Sequence, residues 1–346
     1  MPDAVVPPMD VTSYGVAPNY GAFTSEYVPD YPQIIKFKES IELRKAWTRQ
    51  FLQMFCEITF DSQIEVATSG VRMQEVGRDM AAPNPQHTPR YMLDINPPRK
   101  FQAGTAVTQD AFYHGMSAAK LQQQTMAPLV ADQIWCEQFI MGTALTPAGF
   151  YDADLTPPPE GANTFTSAHD HYVVFANSGN LTPEVSSFAK WHIAHHGYAG
   201  GSVVCFTNSA TGTLFEQEFG TISATNYYQT MPFIEALIKY GFQPGMPLSG
   251  VPTLLTDWVP IGYALYMALG EEKPMVWKPE NRPETVDLLF TQEVPIPNSQ
   301  YKWWGTATRY GAPTIQSPGQ GVAVQLDGAV DGDAYTAPSG ILDISV

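Results

Sequence analysis

The chain has 346 residues, of which 44% are apolar, and it carries 18 Lys/Arg against 34 Asp/Glu. That apolar content excludes a disordered chain, and a formal charge of −16 argues against a surface that grips nucleic-acid phosphates. No apolar run approaches the ~20 residues of a membrane span, and the start MPDAVVPPMDVTSYG has no basic segment or apolar core of a signal peptide.

The charge is uneven. Residues 1–100 hold ten Lys/Arg and twelve Asp/Glu, whereas residues 101–346 hold eight and twenty-two. The 27 glycines and 30 prolines announce many turns and extended segments. Cys56, Cys136 and Cys205 are far apart with no C-x-x-C spacing, so free thiols in a reducing compartment are expected rather than a disulfide.

Residues 1–35 are rich in Pro, Tyr and Gly and poor in aliphatics. They read as an extended arm with Tyr14, Tyr20, Tyr27 and Tyr31 as aromatic anchors, with a disordered tail as the alternative. Glu39–Phe55 predicts a helix with Leu43, Trp47, Phe51 and Met54 as its stripe. Arg44, Lys45 and Arg49 lie beside that stripe and read as a solvated face, a membrane or nucleic-acid contact being the alternative. From Glu57 to Ile95, alternation at Ile58/Phe60, Ile64/Val66, Val71/Met73 and Tyr91/Leu93/Ile95 predicts a long two-stranded excursion with a wide tip at Gly77–Pro89. It is too polar to bury much, and a lone hairpin is marginal in water, so a neighbouring subunit is expected to support it.

Ser117–Leu145 predicts one helix of 29 residues, about 44 Å at ~1.5 Å per residue. Its expected stripe is Ala119, Met126, Val130, Ile134, Met141 and Leu145, with a bend rather than a break at Pro128. Thr146–Thr166, with Pro157–Gly161, reads as a loop or boundary. His169–Phe175 predicts a strand; Thr182 and Pro183 predict the N-cap and first position of a helix stopping at Gly197. A buried strand at Gly201–Phe206 and a helix at Met231–Tyr240 closed by Gly241 follow. Further strands are predicted at 250–256, 262–269, 287–292, 303–310 and 321–326, without a regular βαβ period. The class is α+β.

No phosphate loop, dinucleotide fingerprint, nucleophile elbow or H-E-x-x-H occurs, so no cofactor and no catalytic residue is assigned. Histidine offers one constellation: His169 and His171 flank Asp170 on a strand, and His192 and His196 stand at i, i+4 on a helix, which in principle suits zinc and a metal-dependent hydrolase. Against it, nothing in the sequence places the strand face on the helix, His192 falls on an apolar stripe four residues after Phe188, and His195 and His196 lie in a last turn that favours cations anyway. No metal site is therefore expected. Glu216, Glu218, Asp257, Glu271 and Glu272 obey no spacing rule and read as surface carboxylates. Trp303 and Trp304 read as one core-facing and one exposed side chain on a strand, with a sugar or partner contact as the alternative.

The order of parts, with HDHYVVFANSGNLTPEVSSFAKWHIAHHGYAGGSVVCFTN ending its strand at Asn208, the turn Trp258-Val259-Pro260-Ile261-Gly262-Tyr263, and Arg309-Tyr310-Gly311 near the end, resembles the major capsid proteins of tailed double-stranded-DNA bacteriophages. The resemblance spans most of residues 36–326. It implies an N-terminal arm and short helix (1–56), an extended loop (57–105), a peripheral domain with a spine helix (106–148), an axial domain (149–280), and returning strands with a C-terminal tail (281–346). It also implies self-assembly through pentamers and hexamers into an icosahedral shell around packaged double-stranded DNA. Portal, scaffolding and decoration proteins would be partners, no membrane would be involved, and the virion capsid, assembled in the host cytoplasm, would be the location. The nearest rival within the fold is an encapsulin-like compartment. Some relatives weld subunits through a lysine of the extended loop, but residues 57–99 contain none and Lys100 stands at its base, so no such welding is expected. Others begin with a cleaved scaffolding segment. Here the arm starts almost at Met1, so separate scaffolding, or none, is expected.

Overall fold

The computed structural model describes residues 31–67, 90–108, 118–146, 171–196, 198, 203–211, 232–270, 272–293, 301–328 and 334–339. In chain order these form helix α1 (Tyr31–Phe55), strands β1 (Cys56–Ile58), β2 (Gln63–Ala67), β3 (Arg90–Asp94) and β4 (Arg99–Thr108), helix α2 (Ala118–Ala144), strand β5 (Tyr172–Val174), helix α3 (Pro183–His195), strand β6 (Val203–Thr207) and helix α4 (Pro232–Lys239). Strands β7 (Gln243–Pro244), β8 (Thr253–Leu255), β9 (Tyr263–Ala268), β10 (Met275–Lys278), β11 (Leu289–Glu293), β12 (Tyr301–Ile315) and β13 (Gly321–Gln325) follow, with short 3₁₀ turns at Pro283–Val286 and Pro318–Gln320. The mixture without a βαβ period is the expected α+β class. The expected arm residues 1–30, the loop tip, the 147–170 connection, His169, Asp170 and Gly197 lie outside the described residues.

The described residues divide into two compact units: one drawn from Met1–Gln53, Pro97–Glu137 and Pro279–Ala312, the other from Met54–Asn96, Gln138–Lys278 and Pro313–Val346. In the first, β12 pairs antiparallel with β11 on one side and β4 on the other. Its aromatic and Thr-rich sequence suits a pleated surface. Strand β4 contains Lys100, expected at the base of the loop. Its small and polar residues blunt the alternation of Phe101, Ala103, Thr105 and Val107, and only the partner strand reveals it.

Helix α1 starts eight residues before the expected Glu39, so residues 31–38 are helical rather than part of an extended arm. Pro32 sits in the first turn, where its missing N–H costs nothing, and no Gly or Pro interrupts the run behind it. Its expected stripe is also corrected: Phe51 is fully buried but Leu43 is 72% exposed. Nor is its basic face simply solvated. Arg49 forks onto Asp287, with Nε donating to Oδ1 at 2.8 Å and Nη2 to Oδ2. Lys45 reaches Glu42 at 2.8 Å, and Arg44 lies 4.8 Å over the Trp47 ring.

Helix α2 runs unbroken through Pro128. The expected stripe holds at its C-terminal end, where Met141 and Leu145 are buried, but not before it: Val130 and Ile134 are 40% and 39% exposed, while Leu129, Asp132, Trp135 and Cys136 are buried. The helix is apolar on most sides, so periodicity alone selected the wrong flank around Val130 and Ile134. Leu129 packs with Leu288 and Ala307, and Trp135 tilts against Phe101 at 4.1 Å between ring centroids.

The second unit is built on a six-stranded mixed sheet in the order β5-β13-β9-β6-β8-β7. β13 is parallel to β5 and antiparallel to β9; β6 is antiparallel to β9 and parallel to β8. Helix α3 lies on this sheet and contributes Val185, Ala189 and Ile193 to a core with Val203, Cys205, Tyr266, Val322 and Val324. Thr182 caps α3 as expected: its side chain accepts the Val185 N–H, and Pro183 takes the first position. Gly241, at φ +104°, ends α4 in a Schellman closure, with Gly241 N–H donating to Ile238 O and Phe242 N–H to Leu237 O. Strands β2 and β3 form an antiparallel ribbon, paired from Gln63↔Asp94 to Ala67↔Arg90, as expected for Ile64/Val66 and Tyr91/Leu93, whereas Ile58 belongs to β1 and not to the ribbon. Strand β1 pairs parallel with β10, a four-residue buried run between prolines whose brevity hid it in the sequence.

Candidate functional site

Three groupings of side chains stand out, all within single units. In the first unit, Asp132 of α2 receives Arg309 of β12 in a bidentate fork, with Nε to Oδ1 and Nη2 to Oδ2 both at 2.7 Å, and Nη1 donates to Val286 O at 3.1 Å. The two side chains are 3% and 2% exposed. Such a fork satisfies both carboxylate oxygens and fixes helix and strand in one register. Burial works against the Arg309 charge, but Cys136 and Asp132 outweigh it and raise the pKa above its ordinary value. Arg44 feels the opposite balance: burial lowers its pKa, only partly offset by Asp132 and Glu137.

In the second unit, Asn208 follows β6. Its Oδ1 accepts the Ala210 N–H at 2.9 Å and its Nδ2 donates to Val259 O at 3.1 Å. Two stretches singled out in the sequence thus meet, Asn208 and the Trp258–Tyr263 turn. That turn needs its glycine: Gly262 has φ +83°, and a Cβ there would meet Asp327 Cγ at 3.3 Å. Tyr263 Oη donates to Thr336 O at 2.7 Å.

The third grouping is histidine. His171 precedes β5, and the register of β5 beside β13 sets it next to Gly321, whose carbonyl lies 2.8 Å from His171 Nδ1. His192 and His196 descend from α3 onto the same point. Ring centroids are 4.8 Å apart for His171–His192, 4.9 Å for His171–His196 and 5.8 Å for His192–His196. One nitrogen from each lies within 4.8 Å of the others. No sequence pattern places the strand face on the helix; the sheet register does so. Of the four histidines considered, three converge, and His169 lies outside the described residues. Gly319 makes room for the group, since a Cβ on it would come 2.9 Å from His196 Cγ. The single signal available in the sequence was the i, i+4 spacing on α3.

The remaining candidates do not converge. Asp257 and Glu272 are exposed, as expected for surface carboxylates, and Glu216, Glu218 and Glu271 lie outside the described residues. The side chains of Trp303 and Trp304 also lie outside them. All three cysteines are free and buried. No described helix is long and apolar enough to cross a membrane.

No protein-family model matches the chain, and no curated protein matches it in sequence. Solved structures do match. A structure from Mycobacterium phage Patience superposes with a TM-score of 0.57 at 15% identity, covering 91% of this chain and 92% of that one. The capsid of cyanophage P-SCSP1u gives 0.51 at 9% identity over 78% and 85%, and the capsid of an empty GTA particle 0.50 at 12% identity over 81% and 90%. The chain has the phage major capsid fold.

Proposed function

We propose that this chain is the major capsid protein of a tailed double-stranded-DNA phage, a structural shell subunit and not an enzyme. The observation that carries the reading is the capsid fold shared over nearly the whole chain. On this reading residues 1–56 serve as arm and short helix, 57–105 as the extended loop, 106–148 as the peripheral domain with its spine helix α2, 149–280 as the axial domain, and 281–346 as returning strands and tail. Copies join in pentamers and hexamers, and rings linked by repeated contacts close an icosahedral shell. Portal, scaffolding and decoration proteins are the further partners, and the shell forms in the host cytoplasm.

Two features support assembly. The β2–β3 ribbon has only two strands, too few to be stable alone. Apolar side chains are also exposed where a partner can cover them: Leu43 on α1, Val130 and Ile134 one turn apart on α2, Met92 on β3 and Ile261 on the Gly262 turn. The acidic body disfavours adhesion of packaged DNA to the wall.

The deciding experiment is electron microscopy of the expressed, purified chain. Closed shells or capsomer rings are expected; a monodisperse monomer under all assembly conditions would refute the reading. Nucleic acid rather than cargo protein inside native particles separates it from an encapsulin-like compartment.

A further inference from the structure

We propose that His171, His192 and His196 form a binding site for a divalent transition-metal ion, with zinc the best match, which clamps α3 to the β5–β13 edge of the sheet. The proposal goes beyond the capsid reading and stands without it.

The tautomer of the first ligand is fixed. A backbone carbonyl only accepts, so His171 Nδ1 carries the proton it gives to Gly321 O, and Nε2 presents a lone pair. A ring N–H held by a backbone carbonyl is the usual support of a ligating histidine. The other two ligands have helical i, i+4 spacing and so share one face of α3. His171 and His192 are 5% and 3% exposed, and His196 is half-buried.

Distance also fits. Zn–N bonds of about 2.0–2.1 Å put tetrahedral ligand atoms roughly 3.3 Å apart, so the widest separation of 4.8 Å closes by about 1.5 Å through side-chain rotation. The donor set decides the metal class. Three neutral imidazoles suit Zn²⁺, Ni²⁺ or Cu²⁺, whereas Ca²⁺ and Mg²⁺ require oxygen ligands. With three protein ligands the fourth position falls to water. Among the described residues no carboxylate joins the group, and the role inferred is structural.

Gly319 is the positioning element. It belongs to the turn just before Gly321, so the same short segment holds His171 by its carbonyl and makes room for His196 by its missing side chain. Gly319→Ala therefore displaces His196 without removing a ligand.

The test uses the full chain without a histidine tag, purified without chelator. Elemental analysis should find about one zinc per chain. After stripping with EDTA, added Zn²⁺ should raise the unfolding temperature in a concentration-dependent way, and Co²⁺ should give the visible absorption of a tetrahedral nitrogen site. His196→Gln should lower zinc affinity by at least about 10–100-fold, and Gly319→Ala by a smaller factor. A native chain that holds no zinc, shows no thermal response to Zn²⁺ and gives no Co²⁺ spectrum would overturn the proposal. So would His171→Gln and His196→Gln variants that bind zinc as tightly as the native chain. The Co²⁺ spectrum of the native protein decides even if a variant fails to fold.

Discussion

Asp132 and Arg309 lie 177 positions apart and meet as a fully enclosed pair. Removing one partner strands a buried charge, which costs about 3–5 kcal/mol. Asp132→Ala is expected to lower the urea midpoint accordingly, whereas exchanging both residues for apolar ones of similar volume should restore much of the loss. Titrating thiols and phenols act at the same scale. Burial pushes the Cys205 thiol up to about 12, against small downward pulls from Tyr266 and Thr253, and burial raises Cys56, Tyr266 and Tyr335 as well. In each case the native state holds a proton that the unfolded chain gives up near its ordinary value. Their contribution is therefore complete at neutral pH and is lost as pH climbs from about 9 towards 12. Unfolding midpoints measured across that window should fall steadily, and an alkylating agent at pH 8 should modify none of the three cysteines until the chain is unfolded. Free thiols were legible from cysteine number and spacing; their burial was not. The Asp132–Arg309 pair was not, because no local pattern reports a contact between a helix and a strand so far along the chain.

Single elements were most legible where local chemistry decides them. Thr182-Pro183 and Gly241 announced the ends of their helices because caps depend on neighbouring residues alone. Thr182→Ala should cost about 1 kcal/mol, read from the shift in chemical denaturation. The buried face of α2 was less legible, since it offers apolar residues on several flanks and tertiary contacts choose among them. The exposed flank carries a prediction. Val130→Lys with Ile134→Lys should leave the isolated chain folded, because surface changes usually fall within about 0.5 kcal/mol. If this flank meets a neighbour, assembly suffers: each contact weakened by about 1.4 kcal/mol loses tenfold in its equilibrium constant, and a shell repeats the contact in every subunit. Circular dichroism checks the first outcome and particle yield by sedimentation the second. The ten-residue β4 and the four-residue β10 escaped sequence reading because pairing, not alternation, defines them.

For the whole molecule, the order of parts carried more information than any motif. The α+β class, the two-stranded excursion and the long helix were all readable, whereas the six-stranded sheet was not, because its neighbours are set by non-local register. A covalent claim also belongs to this scale. Lys100 lies in β4 opposite Tyr310, its Nζ 5.9 Å from that ring, so it is seated within a strand pair rather than carried out on the loop. Boiled, reduced particles should run on a denaturing gel as a single band at the mass of the chain, 38.1 kDa, with no ladder.

The position of β13 has a consequence for timing. Residues 321–325 follow β5 by some 150 positions yet lie between β5 and β9 inside the sheet, and Gly321 also holds His171. During synthesis β5 and α3 emerge long before β13 exists, so the sheet cannot close until residues 321–325 have been made. A chain released early leaves the edges of β5 and β9 unpaired and cannot pass for a finished subunit.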